Sequence, residues 1–104
     1  MIRNLIICVS LIFFIGCTGM AQKGALGRAY SNYKKGDYED VLALTSQAEN
    51  FKEPSHQLKA EILFLRALAL EKLGRDKEAQ GIFKFLAANF SDTEHGFRAK
   101  EKIK

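Results

Sequence analysis

Residues 62–90, ILFLRALALEKLGRDKEAQGIFKFLAANF, contain two apolar segments separated by Gly74 and Arg75. The apolar side chains recur at helical spacing, as Leu63, Ala67, Leu70 and Leu73 before the glycine and as Ala79, Ile82, Phe83, Leu86 and Phe90 after it. Glycine just after a helix takes up the left-handed backbone conformation that ends the helix without steric cost. The stretch therefore predicts a helix, a tight turn and a second helix.

A similar pattern lies earlier in the chain around Gly36, which is 38 positions before Gly74. Its apolar positions are Ala29, Tyr30 and Tyr33 on one side and Val41, Leu42, Leu44, Thr45 and Ala48 on the other. Asp37 follows the first glycine and offers a side-chain acceptor to the free N–H groups of the next helix. Arg75 takes that place in the second unit, where Asp76 is the alternative cap. Both units predict an all-α fold.

The two units resemble tetratricopeptide repeats (TPRs) in the following residues: Ala29, Gly36-Asp37-Tyr38-Glu39 and Val41-Leu42 in the first, and Ala67, Leu73-Gly74, Glu78-Ala79, Phe83 and Leu86 in the second. The resemblance implies antiparallel helix pairs of about 34 residues, stacked as in an α-solenoid. We assign repeat one to residues 24–50 and repeat two to 55–90. The first unit departs from the pattern at Val41 and Thr45. Any other antiparallel four-helix arrangement would share the periodicity.

The extra residues between the units fall at positions 50–54, and Pro54 is well suited to start the next helix because proline lacks the N–H that is unpaired there. Ser91 with Glu94 predicts a capping box for a last helix. We therefore expect a C-terminal capping helix within residues 92–104. Its charged residues, expected to face water, are Arg98, Lys100, Glu101, Lys102 and Lys104.

The N-terminal residues have the composition of an export signal. A basic start is followed by an apolar run at residues 5–15, too short to span a bilayer, and then by Gly16-Cys17. Phe14-Ile15-Gly16-Cys17 resembles the bacterial lipobox, which implies a signal peptide at 1–16, removed after lipid attachment to Cys17. The alternative is an ordinary secretory signal that contains a cysteine. Residues 17–23 are assigned to a lipidated tether and 24–104 to the helical domain.

Removal of residues 1–16 would leave 88 residues and, with Arg3 gone, a net charge of +3. Charges of both signs are interspersed along the chain and form no basic stripe, which argues against nucleic-acid binding. His56 and His95 have no neighbouring cysteine or paired carboxylate at metal-ligand spacing, so we interpret them as exposed helix-start residues. We predict no enzymatic activity and no cofactor beyond the covalent lipid.

The TPR resemblance implies a concave face formed by the first helix of each unit. The predicted partner-binding groove consists of Tyr30, Tyr33, Lys34, Phe64, Leu68, Glu71 and Lys72. Such a groove suits an extended or helical peptide segment. The alternative is that these side chains are interior packing. Residues 62–70 are apolar nearly all round, broken by Arg66, which also fits either a central buried helix or a groove wall.

These features predict a lipid-anchored, periplasm-facing scaffold that binds another envelope protein. By architecture it is similar to repeat lipoproteins of outer-membrane assembly and to accessory subunits of pilus or secretion complexes. The lipobox resemblance also implies an outer-membrane location, because Thr18 in place of Asp after Cys17 is the pattern that favours outer-membrane sorting in enteric bacteria. The alternative function is a cell-wall factor that modulates peptidoglycan synthesis or hydrolysis. Because two repeats are fewer than the three usually needed for a stable array, a partner or a second copy would cover apolar surface.

Overall fold

The computed structural model describes residues 21–104, and five α-helices with no β-strand make up most of this range. The helices are α1 (21–35), α2 (Tyr38–Phe51), α3 (His56–Lys72), α4 (Asp76–Asn89) and α5 (Glu94–Lys102). The predicted signal peptide and Cys17 lie outside the described residues. None of the helices within residues 21–104 is both long and apolar enough to cross a bilayer.

Helices that follow one another in the chain pack side by side. α2 packs against α3, α3 against α4, and α4 against α5, while α5 also returns to contact α3. The apolar side of α1 joins the core formed with α2 and α3. The predicted all-α fold, an α-solenoid fragment of adjacent helix pairs with a C-terminal helix, is confirmed.

The two glycine turns are built in the same way, as predicted. Gly36 has φ 84° and Gly74 has φ 77°, the left-handed region that glycine enters without steric cost. After each glycine a backbone N–H reaches back five residues, from Asp37 to the carbonyl of Asn32 and from Arg75 to the carbonyl of Leu70, both at 2.9 Å. This is the Schellman pattern of helix ends. It reverses the chain so that each pair of helices runs antiparallel.

The helix starts differ from the predicted capping. Asp37 and Arg75 occupy the N-cap positions of α2 and α4, but neither side chain accepts a capping hydrogen bond. The Arg75 guanidinium instead binds Glu78 at 2.7 Å. Pro54 does not begin α3, because Ser55 is the N-cap and its hydroxyl accepts a hydrogen bond from the backbone N–H of Leu58.

The predicted capping box at Ser91 is wrong, because Thr93 is the N-cap of α5. Its hydroxyl accepts a hydrogen bond from the N–H of Gly96 at 3.0 Å and donates one to the carbonyl of Phe90 at 2.7 Å. The backbone N–H of Thr93 also bonds to that carbonyl. Ser91 lies within this turn at the end of α4, so α5 starts later than the capping-box pattern predicts.

Helix α3 is the centre of the domain because it contributes to two core clusters. On one side Ile62, Leu65 and Ala69 pack with residues of α1 and α2. The other cluster joins α3 to α4 and α5 through Ala60, Phe64, Ala67, Leu70, Ala79, Phe83, Leu86, Phe90 and Ala99. This explains why residues 62–70 of α3 are apolar nearly all round.

Two polar side chains are buried in the first unit, and both are satisfied. Thr45 is 0% exposed, and its hydroxyl donates to the carbonyl oxygens of Val41 at 2.8 Å and Leu42 at 3.1 Å. The side-chain amide of Gln22 donates to the carbonyls of Ala48 and Lys52 at the end of α2. Residues 21–23, assigned to the tether from sequence, thus belong to α1.

Candidate binding surfaces

The residues of the predicted concave groove lie on α1 and α3, but they do not form one open surface. Tyr30, Lys34 and Lys72 are exposed, Tyr33, Leu68 and Glu71 are half-buried, and Phe64 is buried. The ring of Tyr33 makes an edge contact with Tyr38, with centroids 5.5 Å apart, and packs on the core of the first unit. Only part of the predicted set is therefore free to meet a partner.

Phe64 is covered by the C-terminal helix. It is 5% exposed, and its ring makes an edge contact with that of Phe83 at 5.8 Å between centroids. The guanidinium of Arg98 lies over the same ring, 4.9 Å from its centroid, and the ring of His95 lies 5.5 Å away. A cation above an aromatic face is attracted by the ring quadrupole. The terminal helix α5 thus occupies the space that a partner would need in order to reach Phe64.

Helix α5 also forms an ion pair with Glu71 of α3. The ammonium of Lys102 lies 2.9 Å from the Glu71 carboxylate and 5.7 Å from the ring centroid of Phe83. Arg98 is exposed, as predicted, although its guanidinium also lies over the ring of Phe64. Lys102 is half-buried and paired with Glu71, so the prediction that its charge faces water is wrong. The reason is tertiary: α5 packs against α3 as well as α4, so the residues on its α3 side acquire partners.

Tyr30 remains at the surface but is tied to the neighbouring helix. It is 36% exposed, and its hydroxyl donates to a carboxylate oxygen of Glu61 at 2.7 Å. Burial raises the pKa of Tyr30 well above its usual value, and the hydrogen bond and negative charge of Glu61 raise it further, whereas the charge of Arg98 lowers it. The Tyr30 hydroxyl therefore stays protonated and links α1 to α3.

Both histidines lie at helix starts, as predicted, yet both also take part in tertiary contacts. His56 begins α3, stacks on Phe90 with centroids 4.5 Å apart, and forms a 2.8 Å hydrogen bond through Nε2 with Asp92. That contact joins the start of α3 to the turn between α4 and α5. Among residues 21–104 no three or more His, Cys, Asp or Glu side chains come together as a metal site would require.

A second surface, which the sequence did not predict, lies on the opposite helices. α2 and α4 do not contact each other, and the space between them is an open groove of about 560 Å³ with α3 as its floor. We call this the α2–α4 groove. Its lining residues are Glu49, Lys59, Leu63, Arg66, Leu70, Glu78, Gly81, Ile82 and Phe85.

The apolar part of the α2–α4 groove includes an exposed aromatic residue. Phe85 is 47% exposed, while Leu63 and Ile82 are half-buried and pack on the core beneath. Phe85 also touches the ring of Phe90, with centroids 5.8 Å apart. Apolar clefts with a few placed polar groups are typical ligand and peptide sites. The groove therefore combines a firm apolar base with side chains that remain accessible.

The charged residues of the α2–α4 groove are not equally satisfied. Arg66 donates to the hydroxyl of Ser46 at 3.0 Å and reaches the carboxylate of Glu49 at the longer distance of 3.9 Å. Glu78 is engaged by Arg75. Lys59 is half-buried, and among the described residues its ammonium has neither a carboxylate nor a hydrogen-bond acceptor. Within the groove, Lys59 therefore has no ion-pair partner among the described residues, and Arg66 has N–H donors that make no hydrogen bond.

Two signals for this groove were present in the sequence. Arg66 interrupts the apolar run at residues 62–70, which indicates a side of that helix that its neighbours do not fully cover. Gly81 and Phe85 lie four positions apart on α4 and are both exposed, so they share one face of that helix. What could not be foreseen is that α2 and α4 stay apart, which depends on the packing of both against α3.

Comparison of the chain with protein-family models, curated proteins and solved structures gives no match. The functional argument therefore depends on the geometry of the two surfaces. On the concave face, α5 covers Phe64 and pairs with Glu71. The α2–α4 groove, in contrast, is open, with Phe85 exposed on its wall.

Proposed function

We propose that this protein is a lipid-anchored, periplasm-facing helical-repeat adaptor that binds another envelope protein. The observation that supports this most directly is the α2–α4 groove, an open cleft whose apolar and charged lining residues suit a segment of another protein. Phe85 is 47% exposed and lines the groove together with half-buried Leu63 and Ile82, and contiguous exposed apolar residues are typical of interaction sites. Binding, rather than catalysis, is the proposed activity.

The membrane anchoring is proposed from residues 14–17, which resemble a lipobox. Lipid on Cys17 would hold the helical domain close to the membrane, since each buried methylene contributes about 0.8 kcal/mol. The test is metabolic labelling of cells with an alkyne analogue of palmitate. We expect label on the wild-type chain and none on Cys17→Ser. Label retained by the Cys17→Ser variant would show that this cysteine is not the anchor.

The binding role is tested by a photo-crosslinking amino acid placed at position 85 in the full chain. Phe97 on α5 is the matched control, because it is also an exposed phenylalanine, at 62%, but does not line the groove. We expect one envelope protein to be crosslinked from position 85 and not from position 97. Equal capture from both positions, or none from position 85, would contradict a binding role for this groove.

A further inference from the structure

We infer that the α2–α4 groove binds an amphipathic helix whose apolar stripe is flanked by carboxylates. This inference rests on the proposed adaptor function and names the chemistry of the partner. Helices bind in grooves by laying an apolar face on the base while polar residues meet the rim. The α2–α4 groove supplies apolar residues from α3 and α4 and two cationic side chains from α3.

The first argument is the shape of the apolar base. Leu63 and Leu70 of α3 lie seven positions apart on one face of the helix, and Ile82 and Phe85 of α4 form the adjoining wall. The base is therefore an elongated strip along α3 rather than a closed cavity. A strip of this kind is complementary to side chains at positions i, i+3, i+4 and i+7 of a partner helix.

The second argument is charge. Lys59 and Arg66 both come from α3 and line the groove, while the carboxylates around them are unevenly matched. Glu78 is held by Arg75 at 2.7 Å, whereas Glu49 lies 3.9 Å from Arg66 and leaves donors of that guanidinium unused. Lys59 has no ion-pair partner within residues 21–104. With Glu78 paired to Arg75 and Glu49 nearest to Arg66, Lys59 is the cation left over in the groove, so the complementary partner is acidic.

The third argument is Gly81 on the groove wall. A glycine within a helix is unfavourable by up to about 1 kcal/mol relative to alanine, so its place in α4 requires a reason. No atom outside its helix backbone lies within 4 Å of where a β-carbon would be, so internal packing does not require it. Because Gly27 in α1 is equally open, the glycine alone identifies nothing. The position of Gly81 on the groove wall supports a docking site, since the missing side chain lets a partner helix approach α4 closely.

The experiment uses the full chain in nanodiscs of zwitterionic lipid, with empty nanodiscs as the blank. The probes are two fluorescein-labelled amphipathic peptides of about 18 residues, with the same leucine stripe but with glutamate or lysine flanks. Binding is measured by fluorescence anisotropy. We expect the glutamate peptide to bind at least about tenfold more tightly, and Lys59→Gln or Arg66→Gln to reduce that preference about threefold or more.

A pair of glycine variants separates binding from folding. Gly81→Gln fills the groove wall, whereas Gly27→Gln places the same side chain on an open helix position outside the groove. Both replace a helical glycine by a better helix former, so neither should unfold the domain. We expect Gly81→Gln to weaken binding of the glutamate peptide about tenfold or more, and Gly27→Gln to leave it unchanged.

Several results would overturn the inference. Equal binding of the two peptides would show that the groove does not select carboxylates, and equal effects of the two glycine variants would place binding elsewhere. Self-association that is lost in Gly81→Gln, without peptide binding, would make a second copy the occupant. If the peptides fail while a crosslink from position 85 still captures one envelope protein, the adaptor function stands and the acidic helix is excluded.

Discussion

The backbone of Gly96 in α5 lies directly against the carbonyl group of Phe90 at the end of α4. A β-carbon at position 96 would overlap with the carbonyl oxygen and carbon of Phe90, and it would also approach the carbonyl oxygen of Leu86 to 3.1 Å. The neighbouring atoms are backbone, so they cannot move aside as a flexible side chain can. This contact determines how closely the last helix packs on the second unit.

We expect Gly96→Ala to destabilise the domain by about 1–3 kcal/mol, the usual cost of overpacking. The opposite sign is expected for Gly27→Ala, because an added β-carbon there meets nothing within 4 Å. That control should stabilise the domain by about 0.5–1 kcal/mol. Urea denaturation followed by circular dichroism measures both. Equal effects of the two substitutions would show that α5 does not pack on Phe90 as described.

The cap of α5 provides a second test. Removing the Thr93 hydroxyl deletes its bonds to the Gly96 N–H and the Phe90 carbonyl, so Thr93→Ala should lower the free energy of unfolding by about 1 kcal/mol. Ser91→Ala is the matched control, since Ser91 caps nothing, and it should change the stability little. Thr93→Ser should retain most of it. A larger loss from Ser91→Ala than from Thr93→Ala would restore the capping box predicted from sequence.

The helices and turns could be predicted from the sequence because their causes are local. Gly36 and Gly74 end helices through their own backbone freedom, and the apolar spacing around them is visible in any window of one helix. The sequence does not identify Thr93 as the cap, because Ser91 with Glu94 three residues later fits the capping-box pattern. Only the path of the chain beyond Phe90 decides which of the two caps the helix.

The surfaces could not be predicted because they depend on which neighbours cover α3. Leu63 and Phe64 are adjacent and both apolar, yet Phe64 is 5% exposed whereas Leu63 lines the open groove. The difference is tertiary: α5 covers the Phe64 side through Arg98, while α2 and α4 leave the Leu63 side open. A repeat pattern orders the faces of a helix but does not say which face a terminal helix will close.

Substitutions of Phe64 and Phe85 test whether Phe64 lies in the core and Phe85 on the open groove. Phe64 lies in the core, so Phe64→Ala should lower the free energy of unfolding by about 3–5 kcal/mol and reduce helical content. Phe85 is 47% exposed, so Phe85→Ala should lower it by less, about 1 kcal/mol. Thermal and urea unfolding of the two variants provide the comparison. Similar small losses at both positions would mean that Phe64 is available as a binding residue after all.

The pairing of His56 with Asp92 predicts a pH dependence. The pKa of the Asp92 carboxyl is lowered below 3.8. The hydrogen bond from His56 is the larger cause, and a hydrogen bond from the backbone of Asp92 itself is the second. A carboxyl with a lowered folded-state pKa stabilises the fold above its unfolded pKa, and this contribution is lost as the pH falls through the folded value. The advantage of the wild type over Asp92→Asn should therefore shrink as the pH drops below about 3.8.

Two variants at position 56 isolate the cause of that shift. His56→Phe keeps a ring to stack on Phe90 but has no hydrogen-bond donor, so the pKa of Asp92 should return toward 3.8. His56→Gln keeps a neutral donor and should retain part of the shift, because a hydrogen bond to the ionised form favours that form. The measurement is an NMR titration of the Asp92 carboxyl carbon. An Asp92 pKa that stays equally low in His56→Phe would mean that the backbone hydrogen bond, and not the contact between α3 and the α4–α5 turn, holds the carboxylate ionised.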